Sequence, residues 1–145
     1  MKPLSPALTF ADLRDKPFVV GGMTPDGFDC RGCTYIVLAR LGTVLAPDAI
    51  PCAQSVAPSP VGVVPTDLPE SPWARHWRRV RVADAIVGDV AFFASGDESH
   101  VAPIVSVSTN RPILILSASK NHGAHILRLT DKRGLVGIYR PRSVE

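Results

Sequence analysis

The sequence predicts an α+β fold in which one helix packs on an antiparallel sheet of about five strands. Three observations carry that expectation. Residues 30–41 contain no proline and place Cys33, Val37 and Leu41 at helical spacing, with Gly42 as the stop. Five short runs rich in β-branched or aromatic residues follow, at 90–93, 100–107, 112–117, 124–129 and 135–140. Turn formers bound each run, and a helical first part followed by consecutive strands gives segregated layers rather than alternating βαβ units.

The chain has 145 residues, 46% hydrophobic and 20% charged. That supports one domain with a real core and is too little for two ordinary ones, so residues 1–145 are expected to form a single domain. The same composition excludes a disordered chain, which could not offset its ordering entropy. No apolar run approaches the roughly 20 residues that cross a bilayer. Residues 1–10 carry one lysine and two prolines in place of a secretory apolar segment. The expectation is a protein made in the cytoplasm, with no membrane span and no Sec export. A formal charge of +3 suits an acidic partner without demanding one.

Along the chain, Thr9 to Asp12 has capping-box spacing and predicts a short helix ending before Pro17. Residues 18–22 read as extended and 24–27 as a turn, because Pro25 fixes one dihedral and Gly27 supplies positive φ. Prolines 47, 51, 58, 60, 65, 69 and 72 rule out a long helix or central strand. An irregular Pro-rich excursion is expected at about 43–72. Residues 71–81, with Trp73, Trp77 and four arginines, read as about two helical turns. If the strands starting at His100 and Pro112 form a hairpin turning at Thr109-Asn110, His100 lies opposite Ser119, with Ser117 as a diagonal neighbour on the same face. The sequence shows no internal repeat.

The chemistry concentrates at residues 21–32, where a tight turn delivers Cys30 to the first residue of a buried helix. A thiol there meets unpaired N–H groups and the positive end of the helix dipole, which favour the thiolate and so a nucleophile. The plain alternative is a small apolar core residue. A nucleophilic thiol needs a base, and His100 opens the most strand-like run in the chain. Of the three cysteines, Cys30, Cys33 and Cys52, at least one must be free unless it pairs with another chain. Cys30-x-x-Cys33 has the spacing of a redox pair or half a zinc site, but with only Cys52 left no second pair completes a metal site. The Trp73–Arg81 stretch, with its mix of indoles and arginines, could stack on sugars or bases; its alternative is a solvated basic face whose indoles cover the core.

Gly21-Gly22, Gly27-Phe28-Asp29-Cys30-x-Gly32, Gly88-Asp89-Val90-x-Phe92-Phe93 and His100-Val101, in that order, resemble the NlpC-type cysteine peptidases of bacterial cell-wall metabolism. The likeness is greatest to the versions found in phage tail and gene-transfer particles. Leu135-Val-Gly-Ile-Tyr-Arg140 is similar to that family's last strand, and the likeness covers about two thirds of the chain.

The resemblance implies a papain-like core with Cys30 as nucleophile and His100 as base. The expected reaction is amide hydrolysis through a thioester in a peptidoglycan stem peptide, with the Cys30 backbone N–H helping to stabilise the oxyanion. It implies no metal and no organic cofactor. The residue orienting the base falls at Ser117, with Asn121 next by similarity to the CHAP amidases. Cys33-Thr34-Tyr35 also resembles the nucleophile region of that group, which makes Cys33 a reserve nucleophile.

Phe18, Asp29 and Arg31 are the residues expected nearest the substrate. Phe18 stands where the family often has tyrosine, and Arg31 where serine is common. The expected partners are peptidoglycan stem peptides and phage tail or secretion-apparatus proteins; nucleic acid is not expected. Access to the wall would come through a virion, a secretion system or lysis. The competing expectation is a particle component that keeps the fold without turnover.

Overall fold

The computed structural model describes residues 10–45, 49–50, 76–95 and 98–142. A hairpin of β1 (Met23–Thr24) and β2 (Gly27–Phe28) leads directly into α1 (Cys30–Arg40). The main sheet follows: β3 (Trp77–Val80), β4 (Val90–Ser95), β5 (Glu98–Ser106), β6 (Leu114–Ser119), β7 (Gly123–Arg128) and β8 (Leu135–Pro141). Its order is β3-β8-β4-β5-β6-β7, with antiparallel pairing throughout. The fold is α+β, one helix on an antiparallel sheet of six strands plus the small hairpin.

The sixth strand corrects the sequence reading of residues 71–81. Residues 71–75, Trp73 among them, lie outside the described residues, but 77–80 are extended, not helical. They pair with β8 from Trp77↔Pro141 to Val80↔Ile138. Without them β8 would present an unpaired edge, and ladder bonds along that edge outweigh the helix preference of the arginines. Trp77 is buried and donates its indole N–H to Ala49 O at 2.8 Å, so this indole covers the core.

A second correction concerns the start of the chain. The predicted short helix is a single 3₁₀ turn, Ala11–Leu13, whose N-cap Phe10 offers no side-chain cap. Thr9 lies outside the described residues, as does most of the Pro-rich excursion. The turn is held instead by burial of Phe10 and Leu13.

The sheet separates two cores because successive side chains of a strand point to opposite faces. On one face, α1 contributes Cys33 and Val37 to a cluster with Val105, Leu116 and Ala118. The same helix sends Cys30 and Leu38 into a cluster with Val90, Phe92, Val101 and Tyr139. The other face holds Ala91, Phe93, Ala102, Ile104, Ile115 and Ile138. The β5–β6 register matches the hairpin arithmetic at Ile104↔Ile115 and slips by one residue at Ser106↔Leu114, where the ladder is irregular.

Candidate active site

The helix start is fixed by backbone contacts that only this run of residues permits. Asp29 caps α1: its Oδ1 accepts from Gly32 N at 2.8 Å, and its Oδ2 accepts from Gly21 N at 2.9 Å. Its own carbonyl accepts from Cys33 N, while Asp29 N donates to Gly22 O. A Cβ on residue 32 would lie 2.0 Å from Gly22 O, so the Gly-Gly loop can reach the helix only if residue 32 is glycine. The spacing of the two motifs thus records one close approach, which sets Cys30 as the first residue of α1 at 0% exposure.

Cys30 is disulfide-bonded, and Cys33 is free and buried. The Cys30-x-x-Cys33 spacing therefore forms no bond between its two members. Burial, and then the charge of Asp29, push the Cys33 thiol far above its ordinary range, and it donates to Leu116 O at 3.7 Å. A protonated, enclosed thiol is core packing, not a second nucleophile. Cys52 lies outside the described residues.

Asp29 and Arg31, expected at the substrate, are 1% and 3% exposed. Both oxygens of Asp29 are occupied by the backbone, and Arg31 Nε donates to Ile50 O at 2.6 Å. Phe18 is half-buried, bridges to Phe28 and packs against the α1-side core.

The second half of the site is on the sheet. His100 is 5% exposed, and its Nε2 lies 3.0 Å from Ser117 Oγ, the diagonal contact between β5 and β6. Its Nδ1 is buried and has no hydrogen-bond partner among the described residues. The ring lies 6.1 Å from that of Phe93, its cross-strand partner. Burial first, then the charges of Lys132 and His125, push the imidazole down to about 3. Asn121, the other candidate for orienting the base, is exposed in the turn between β6 and β7.

These halves are adjacent without touching through a hydrogen bond. Phe92 and Val101 are a directly paired couple on the α1 face, in the cluster that includes Cys30. Phe93 and His100 are the next couple and occupy the other face. The structure thus joins His100 to Ser117 and leaves Nδ1 unjoined to the sulfur of residue 30.

Three further features were not read from the sequence. Lys132 lies 5.6 Å over the Phe93 ring, and burial lowers its pKa. His125 stands opposite Ser117 in the β6–β7 ladder. Asp89, fully buried, takes Arg140 on both oxygens at 2.7 and 2.9 Å and also accepts from Ile86 N. The Gly88-Asp89 motif therefore anchors β8 to the start of β4. Only the acidic residue before an apolar strand hinted at this, and nothing in its spacing names a partner 51 residues away. Among the described residues no group of three or more His, Cys, Asp or Glu side chains could hold a metal ion, and no helix is long and apolar enough to cross a membrane.

A helix whose first residue is cysteine, packed on an antiparallel sheet that carries a buried histidine, defines the papain-like class of α+β domains. Within that class the chain belongs to the NlpC/P60 family, whose profile matches residues 15–130. The chain is similar to the NlpC/p60 domain of the peptidoglycan hydrolase SagA, at 18% identity and TM-score 0.54, covering 94% of this chain and 95% of that one. It is also similar to an NLP/P60 family lipoprotein-like protein from Staphylococcus aureus, at 22% identity and TM-score 0.57, covering 94% and 40%. NlpC1 from Trichomonas vaginalis gives 17% identity and TM-score 0.61, covering 93% and 42%. The chain thus spans about two fifths of the length of these last two proteins. No curated protein sequence matches it.

Proposed function

We propose that this chain is a cysteine peptidase or amidase that hydrolyses an amide bond in peptidoglycan stem peptides, with Cys30 as nucleophile, His100 as base and Ser117 holding the base. The observation that carries this reading is the state of the imidazole. It is buried, with Nε2 held by a hydroxyl and Nδ1 left unpartnered, on the strand beside the helix that starts with cysteine. A buried polar atom without a partner costs roughly 1–3 kcal/mol, a cost that a functional site has reason to carry. Membership of a family of cell-wall hydrolases supports the substrate class.

With Nε2–H donated to Ser117, Nδ1 carries the lone pair that a base needs. It takes the proton of the Cys30 thiol, and the thiolate attacks the amide carbon. The tetrahedral oxyanion forms against the backbone N–H of Cys30, where the helix dipole favours negative charge. Collapse gives a thioester, and the amine leaves with the proton from His100. Water, deprotonated by the same imidazole, then releases the carboxylate and restores the thiol. Ser117 orients the ring but cannot balance the imidazolium charge as a carboxylate would, so Coulomb attraction from the thiolate has to do so.

The motif order that resembles phage tail and gene-transfer-particle versions supports delivery in such a particle as part of this reading. The test is incubation of the fully reduced chain with defined muropeptides, followed by mass analysis of the products. Cys30→Ala should slow hydrolysis by at least about a thousandfold, and His100→Ala by about a hundredfold or more. Cleavage by Cys30→Ala at the wild-type rate would overturn the assignment. A reduced chain that cleaves no muropeptide would favour a particle component that keeps the fold without turnover.

A further inference from the structure

We propose that the nucleophile is gated by oxidation: the hydrolase is silent while Cys30 is held in a disulfide, and a thiol reductant switches it on. This rests on the reading of Cys30 as nucleophile and adds its regulation. Three features of the molecule converge on it. Cys30 is disulfide-bonded, and Cys33, one turn along α1, is free. The bond therefore reaches a sulfur outside the Cys-x-x-Cys pair, and the sequence contains one further cysteine, Cys52. Second, the imidazole expected to take the thiol proton is buried with Nδ1 unpartnered, as required if the sulfur that completes it is held elsewhere. Third, Cys30 packs in the cluster of Phe92 and Val101, on the face of β5 away from His100. Release of the bond is what frees its side chain to turn toward the ring.

The chemistry balances with a dithiol, or two equivalents of a small thiol, as the reductant. Because Cys30 is wholly enclosed, the attacking thiolate enters at the partner sulfur, and the S–S bond breaks with Cys30 leaving as thiolate. A second reductant sulfur then displaces the mixed disulfide. The chain gains two electrons and ends with two cysteine sulfurs reduced, and the reductant ends as its disulfide. A cysteine at a helix N-terminus is a good leaving group, because the dipole and first-turn amides stabilise its thiolate. The feature that makes Cys30 a nucleophile thus also makes its disulfide readily reducible. Cys33 takes no part, since its thiol is buried, protonated and bonded to Leu116 O.

The test uses the full chain purified in air, before and after a dithiol such as dithiothreitol. Disulfides are mapped by peptide mass, hydrolysis is measured on muropeptides, and iodoacetamide labelling of Cys30 is timed. We expect a Cys30 disulfide in the oxidised chain, an increase in hydrolysis of at least about a hundredfold on reduction, and reversal by oxidised glutathione. Cys52→Ser should be active without reductant and indifferent to oxidant. If that variant fails to fold, the wild-type titration carries the same reading.

Equal hydrolysis with the mapped bond intact would overturn the gate, and so would the absence of any Cys30 disulfide after aerobic treatment with oxidised glutathione. If reduction makes Cys30 alkylate rapidly and no muropeptide is cleaved, the gate on the thiol stands and the substrate assignment falls.

Discussion

The start of α1 and the face of β5 that bears His100 solve opposite problems. Around Cys30 the polar groups that can be followed are engaged: Asp29 takes Gly21 N and Gly32 N, Gly22 O takes Asp29 N, and Thr34 Oγ1 donates to Cys30 O at 2.9 Å. On the sheet, the Nδ1 of His100 and the hydroxyl of Ser119 are both buried without a partner among the described residues. One region is over-determined and holds its position; the other is under-satisfied and holds chemical potential. A nucleophile needs exact placement, which backbone contacts provide cheaply. A base needs an empty lone pair, which costs stability wherever it is buried.

The difference is broken most severely at Gly32. Its missing Cβ would meet a backbone carbonyl at 2.0 Å, and neither helix nor loop has a flexible side chain to move aside. Gly32→Ala should cost about 3 kcal/mol or more in urea unfolding, at the upper end of overpacking penalties. It should also displace Cys30 from the helix start. A loss below about 1 kcal/mol would mean that the Gly-Gly loop can retreat, and that the helix start is less fixed than its contacts imply.

How far the sequence made the two regions legible follows from the same contrast. The helix start could be read in advance because its determinants are local: turn, cap, glycine and cysteine fall within twelve residues, 21–32. The five later strands were legible from their β-branched runs, and the diagonal placement of Ser117 followed from pairing arithmetic. Residues 77–80 were not, because two aromatic and basic turns of helix and an edge strand share a composition, and only the open side of β8 decides between them. Nor could spacing reveal that Cys30 is bonded and Cys33 is not, since proximity in sequence favoured the wrong pairing. The surroundings of His100, Lys132 and His125 included, come from three other segments, and no local pattern records that assembly.

Acid should separate the two regions by their pH dependence. Burial holds His100 neutral from its ordinary 6.5 down to about 3, whereas in the unfolded chain it protonates near 6.5. Between those values the unfolded state binds more protons, so stability falls as the pH is lowered through that window and is fully present above it. The slope attributable to this one group is at most about 1.4 kcal/mol per pH unit. His100→Gln removes the titration and should flatten the slope between pH 6 and 4. Its persistence would assign the acid sensitivity to another group. Of the neighbours that face the ring, Lys132 stays charged across this range, and the Ser117 hydroxyl does not titrate. His125 is the control: His125→Gln should leave most of the slope in place.

The smallest effect has the opposite sign. Ser119 ends β6 with its hydroxyl buried and unpartnered among the described residues. Removing a polar group that has already lost its water and gained no partner returns its desolvation cost, so Ser119→Ala should stabilise the fold by about 0.5–1 kcal/mol. It should leave hydrolysis unchanged, because Ser117 and not Ser119 holds the imidazole. Near Cys30, by contrast, Thr34→Val removes a hydroxyl that does have an acceptor and should gain nothing. A destabilised Ser119→Ala with impaired hydrolysis would show that the hydroxyl bonds to a group of the site. The sheet face would then be as fully satisfied as the helix start, and the contrast between the two regions would fail.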